Sequence, residues 1–230
     1  MKAFIFTEKM KLSDLLSVNH HLILMIPRFG IEFGFGEKNV KEICEKYNVS
    51  TSFFLLVCNV YTYDDYLPDK KALLATDMRS LIPFLSASHD YYLNERLQFI
   101  ESYLFKIADN CESKYGDTLK RFFSGYKQKV VDHFEYEEKT VFPYIDALQM
   151  GKPSKSYNIN QFQSIHSNIE DELNDLTNIL IKYLPCNLMT KERVMILNEI
   201  FHLSDDLNKH SLIEEKILIP YVEFLEKDNI

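Results

Sequence analysis

The amino-acid sequence predicts an all-α chain, an antiparallel four-helix bundle preceded by a small helical N-terminal domain. Three observations point there. Turn-formers are scarce, with 6 Gly and 7 Pro among 230 residues, well below ordinary usage of about 7% and 5%. Four long stretches carry apolar residues at helical period, near 79–109, 115–148, 158–184 and 190–227. The breaks between them carry turn chemistry: Tyr115-Gly116-Asp117, Met150-Gly151-Lys152-Pro153-Ser154 and Leu184-Pro185-Cys186-Asn187. Long helices with short connections favour antiparallel neighbours. At 46% apolar residues, the chain has ample material for a core, and its length suits one large domain with or without a small one.

The elements follow in order. Residues 1–63 form the N-terminal domain, with a helix expected from Lys11 to Pro27. A turn-rich stretch runs from Arg28 to Gly36 and holds three of the six glycines. Two short helical stretches follow, Asn39–Tyr47 and Thr51–Tyr61. Residues 64–78 read as a linker, because Asp64-Asp65-Tyr66-Leu67-Pro68-Asp69-Lys70-Lys71 has charge, Pro and no apolar period. The bundle occupies 79–230. Thr190 suits the N-cap of its last helix, with Glu192 favourable in the first turn.

The formal net charge of −8 argues against a nucleic-acid binder, which needs a basic face to displace phosphate counterions. It argues equally against attraction to an anionic membrane surface. No apolar run approaches the roughly 18–20 residues of a spanning helix. The N-terminal MKAFIFTEKMKLSD has a five-residue apolar patch and no cleavage site, so it does not read as a signal peptide. The cytoplasm is the expected compartment. Cys44, Cys58, Cys111 and Cys186 form no CxxC and match no zinc or disulfide framework. They read as reduced, small buried hydrophobes.

The bundle carries an internal repeat. His133-Phe134-Glu135-Tyr136-Glu137-Glu138-Lys139 continues to Pro143-Tyr144, and His210-Ser211-Leu212-Ile213-Glu214-Glu215-Lys216 continues to Pro220-Tyr221. The offset, 210 − 133, is 77, and it also takes His89 to His166. One helical hairpin is therefore repeated by the next.

HxxxE places an imidazole and a carboxylate one turn apart on one helix face. A single pair of this kind is weak evidence: His166-Glu170 fits as well, and His202-Asp206 is a near-match. An ordinary surface His–Glu pair explains one of them. It does not explain four histidines in register, two of them with repeated glutamates. If the hairpins pack with approximate twofold symmetry, His89, His133, Glu137, His166, His210 and Glu214 can all face the interior. Such a set suits two divalent transition metals, each taking two His, with the carboxylates as bridges. Mixed nitrogen and oxygen ligation suits iron or manganese better than zinc, magnesium or calcium. Bundle cores are established sites for di-iron centres. Pro143 and Pro220, ten residues past each His, read either as kinks shaping the bundle end or as simple inheritance by duplication. Tyr144 and Tyr221 read as core or groove aromatics, with a place beside the metal ligands as the alternative. His20, His21 and His202 have no repeated partner and read as surface or local structural groups.

The four His, the two HxxxE glutamates and the EEKxxxPY run after each resemble the hemerythrin-like HHE domain. More specifically they resemble its repair-of-iron-centres group. Four His with two Glu, instead of the five His of oxygen-carrying hemerythrin, and a small preceding domain both favour that group. Gly30-Ile31-Glu32-Phe33-Gly34-Phe35-Gly36 resembles the Gly-Ile-Asp-(aromatic)-Cys-Cys-Gly segment of the group's N-terminal domain. The resemblance covers nearly the whole chain and is tighter in the bundle.

The resemblance implies two iron ions in an oxo- or hydroxo-bridged centre. His89, His133, His166 and His210 would be terminal ligands, and Glu137 and Glu214 would bridge. It implies repair of iron–sulfur clusters damaged by nitric oxide or oxidative stress, through iron donation or nitric oxide chemistry. The alternative is an oxygen- or nitric-oxide-binding module for sensing or storage, without turnover. Nitric oxide or oxygen is the expected small-molecule partner. Damaged iron–sulfur proteins are the candidate macromolecular partners, and a homodimer is left open. Gly34 and Phe35 stand where the group has its paired cysteines, so the resemblance brings no thiol function to this N-terminal domain. Packing or partner docking is the role left to it.

Overall fold

The computed structural model describes residues 5–152, 156–165, 171–185 and 188–228. About 78% of the chain is helical, and no strand occurs among the described residues. An isolated antiparallel bridge joins Lys11 and Asn39. The molecule is an all-α helical bundle with an N-terminal helical segment.

The helix expected over Lys11–Pro27 is broken into α1 (Leu12–Val18) and α2 (Leu22–Met25). Asn19 breaks it. Its backbone is extended, at φ −141° and ψ 104°. Its side chain donates to Tyr61 O at 3.2 Å and to Thr62 Oγ1 at 3.0 Å, and accepts from His21 N at 3.0 Å. A short amide that bonds backbone in this way competes with the helix. Next come a 3₁₀ turn, Pro27–Phe29, and Gly30 at φ 69°, whose N–H returns to Pro27 O at 2.8 Å. Helix α3 (Val40–Lys46) starts at a capping box between Asn39 and Glu42. Helix α4 (Thr51–Thr62) is capped by Ser50 and buries most of its surface.

The polar stretch 64–78 carries a short helix, α5 (Lys70–Ala75), because Asp69 caps it by accepting from Ala72 N at 2.7 Å. A 3₁₀ turn, Met78–Ser80, then leads into the long helices. The first is α6 (Leu81–Tyr91), a π segment Tyr92–Arg96 and α7 (Leu97–Asp109). The second is α8 (Ser113–Tyr136), a π segment Glu137–Val141 and α9 (Phe142–Gln149). In the third stretch the described residues form α10 (Ile159–Ile165), α11 (Asp171–Asn178) and a π segment Ile179–Tyr183. The fourth is α12 (Thr190–Ile213), a π segment Glu214–Leu218 and α13 (Ile219–Asp228).

The residues group into two compact units. One comprises Met1–Ser88, Phe142–Ser164 and Lys209–Ile230; the other comprises His89–Val141 and Ile165–Asn208. In the first, Phe29, Phe53, Phe54 and Phe84 form an aromatic cluster, with Phe29 stacked on Phe84 at 4.5 Å. Lys209 pairs with Asp64 at 2.8 Å, and Lys216 donates to Asp64 O and Tyr66 O, which ties 64–66 to the C-terminal helix. The second unit packs α7, α8, α11 and α12 around one apolar core, including Leu104, Phe123, Leu176 and Leu203. Gly116 is required there: a Cβ at this position would lie 2.3 Å from the backbone oxygen of Ala108, far inside contact distance.

Candidate metal centre

His133 lies in the last turn of α8, and Glu137 is the first residue of the π segment that follows. His133 Nε2 is 2.7 Å from Glu137 Oε1. His89, near the end of α6, brings Nε2 to 3.0 Å from Glu137 Oε2. Each oxygen of this carboxylate therefore faces a different imidazole. The Glu137 side chain is 0% exposed and that of His89 is 4% exposed. His89 Nδ1 is 2.8 Å from Glu138 Oε1. Phe134 stacks on the His89 ring at 4.1 Å and 14°, which fixes the plane of the imidazole.

The second half repeats the His133–Glu137 pair. His210 closes α12, and Glu214 opens the next π segment. His210 Nε2 is 3.1 Å from Glu214 Oε1, with side chains 2% and 1% exposed. His166, the repeat equivalent of His89, lies outside the described residues.

These contacts are electrostatically specific. An ionised carboxylate only accepts hydrogen bonds, so Glu138 holds the proton of His89 on Nδ1. In the neutral ring, Nε2 then presents a lone pair to Glu137 Oε2. Two lone pairs 3.0 Å apart repel unless a proton or a cation lies between them. Neither Glu137 oxygen takes an aligned hydrogen bond among the described residues, although an imidazole nitrogen lies close to each. A full charge buried this deeply demands compensation.

The spacing also suits a cation. Two ligand atoms each ~2.1 Å from one ion lie ~3.0 Å apart at right angles and ~3.4 Å apart at the tetrahedral angle. The observed separations are 2.7, 3.0 and 3.1 Å. Each is short enough for both atoms of the pair to reach one cation. His89 and Glu137, and likewise His210 and Glu214, fit the requirements for holding a metal ion.

The π segments were not legible in the sequence. Among the described residues, two of the four begin at the glutamate of an HxxxE pair and end two residues before a proline, Pro143 or Pro220. Proline lacks an N–H, and its ring crowds the carbonyl four residues back. A widened turn ahead of it relieves that crowding. A proline at the same place in two otherwise unbroken helical patterns was the available signal. The structure thus gives the prolines a local consequence beyond a simple kink.

Other candidates fall elsewhere. Tyr144 donates to Glu226 Oε1 at 2.5 Å, and Tyr221 accepts from Gln149 Nε2 at 3.5 Å. His202 is exposed, and the rings of His20 and His21 lie 4.4 Å apart at the N-terminal end. Cys44 and Cys58 are buried and Cys111 is half-buried, all as free thiols; Cys186 lies outside the described residues. Burial pushes the Cys44 thiol up to about 11 and raises Cys58 well above the usual range. Both stay protonated at physiological pH, and the thiolate is the reactive form. Alkylation of the native protein at pH 8, read by peptide mass spectrometry, should modify Cys111 and spare Cys44 and Cys58 until the protein is unfolded.

Two comparisons with known proteins bear on this site. The family profile described as the hemerythrin HHE cation binding domain matches residues 80–222. That span takes in His89, His133, Glu137, His210 and Glu214. No curated protein matches the chain. No helix among the described residues is long and apolar enough to cross a membrane.

Proposed function

The chain belongs to the hemerythrin HHE cation-binding domain family, and on that premise we propose that it holds a non-haem di-iron centre serving the repair of iron–sulfur clusters damaged by nitric oxide or oxidants. The observation that carries this reading is the buried His–Glu pair repeated in both halves, at 2.7 Å for His133–Glu137 and 3.1 Å for His210–Glu214. His89, His133, Glu137, His210 and Glu214 are the described residues we assign to the centre. His166 completes the proposed set.

A di-iron centre would supply open coordination positions for a diatomic ligand, as well as one-electron chemistry. The chain's own groups prepare that site. Glu137, with one oxygen beside each of two imidazoles, would hold the metal together with His89 and His133. Glu138 holds the proton on His89 Nδ1 and leaves Nε2 as the donor, as outer carboxylates do for metal-bound histidines. Phe134 prevents the His89 ring from turning. Burial of the carboxylates excludes water and strengthens their hold on a cation.

A second reading is a reversible oxygen- or nitric-oxide-binding module for sensing. Gly34 favours it. This residue occupies one position of the group's cysteine pair and adopts φ +89°, a conformation that a side-chain-bearing residue rarely takes. With Cys44 and Cys58 buried, no thiol relay is presented at that segment.

Complementation separates the two readings. On the repair reading, expression in a strain lacking its own cluster-repair protein restores iron–sulfur enzyme activity after nitric oxide exposure. Failure to restore it, together with stable reversible oxygen binding by the reduced protein, would establish the sensing reading instead.

A further inference from the structure

Consecutive side chains of an α-helix point about 100° apart and do not face one another. Glu137 and Glu138 nevertheless reach the same imidazole. Glu137 Oε2 is 3.0 Å from His89 Nε2, and Glu138 Oε1 is 2.8 Å from His89 Nδ1. Both residues belong to the π segment Glu137–Val141. A π turn holds more residues than an α turn, so successive side chains diverge less. The wide turn thus lets two adjacent carboxylates clasp one ring, Glu138 from its 40% exposed position and Glu137 from its fully buried one.

The turn has a cause in the sequence. Pro143 stands four residues after Lys139, inside the segment's span. In a regular α-helix its ring would crowd the Lys139 carbonyl, and it offers no N–H in return. The same register recurs at Pro220, four residues after Lys216 in the segment Glu214–Leu218. The proline thus stands in one register at both repeated HxxxE glutamates, whereas the π segment Tyr92–Arg96 forms without a proline after it.

We propose that Glu138 and Pro143 are positioning residues for the metal centre: Pro143 fixes the wide turn at Glu137, and the turn allows Glu138 to hold His89 Nδ1 so that Nε2 faces the cation. This inference rests on the metal-binding reading above and deepens it. Neither residue is assigned as a ligand.

The test uses full-length protein, ferrous iron under anaerobic conditions and a chromophoric chelator as competitor. Glu138→Ala should weaken ferrous binding by about 10- to 100-fold. Glu138→Gln should stay within about threefold of the parent, because its amide oxygen accepts the same N–H. Pro143→Ala should weaken binding as much as Glu138→Ala does. The double variant should be no weaker than the weaker single one, because both act through His89. Metal-free thermal midpoints should hold steady, or rise for Pro143→Ala, since a helix-interior proline is removed. Parent-like binding by Glu138→Ala or Pro143→Ala overturns the inference. So do fully additive losses, an equal loss in Glu138→Gln, or metal-free midpoints that fall in step with affinity. A parent that takes up no iron overturns the metal reading and this inference together. A parent that loads iron alongside variants that load equally well overturns this inference alone.

Discussion

Glu137→Gln is expected to empty the metal centre while leaving the metal-free fold at least as stable as the parent's. The side chain is 0% exposed and lies 3.0 Å from His89 and 2.7 Å from His133. Burying a carboxylate with no cation beside it is costly, and a neutral amide of the same shape avoids that cost. Gln keeps the shape and removes the charge a cation needs. The parent should gain stability with iron, because a ligand that binds only the folded state stabilises it by mass action. The variant should gain none. His133→Ala and His210→Ala should each lower iron from about two per chain to about one or fewer, as expected of a di-iron bundle site. Elemental analysis and thermal unfolding with and without ferrous iron provide the readout. A structural ion pair predicts the opposite: Glu137→Gln loses stability without metal, and iron content is unaffected.

Phe84→Ala should be the most destabilising single change in the unit that contains the N-terminal helices. Phe84 is 1% exposed, stacks on Phe29 at 4.5 Å and meets Phe53 edge-on at 6.1 Å. Truncating a fully buried Phe costs about 3–5 kcal/mol, because the transfer free energy is lost and a cavity remains. For a chain of this size that lowers the thermal midpoint by on the order of 10 °C. Phe84→Leu should cost much less, since it fills most of the space. Differential scanning calorimetry of the two variants measures the gap. Equal midpoints for Phe84→Ala and the parent would show that this cluster does not anchor the unit.

The long helices were legible because their period is local. The stretch expected at 115–148 is helical over Ser113–Gln149, and the one expected at 190–227 over Thr190–Asp228. The N-terminal segment was less legible. The break at Asn19 depends on bonds to Tyr61 and Thr62, more than forty positions away. Helix α5 rests on a single cap, Asp69, in a stretch whose charge and proline read as a linker. Each His–Glu pair was readable from the repeat, because i and i+4 share a face. Glu138 was not, because its partner His89 is 49 residues away. The π segments escaped notice because apolar residues on both sides of Glu137 and Glu214 still fit a plain 3.6-residue period.

The central claim is that this chain's repeated His–Glu pairs hold iron, about two ions per chain. Elemental analysis of anaerobically purified protein, with an ultraviolet–visible spectrum before and after nitric oxide, tests it most directly. The account predicts about two irons per chain and near-ultraviolet absorption that changes on nitric oxide addition. Protein that binds no metal even after ferrous reconstitution would contradict it and leave a helical bundle whose buried carboxylates serve packing alone.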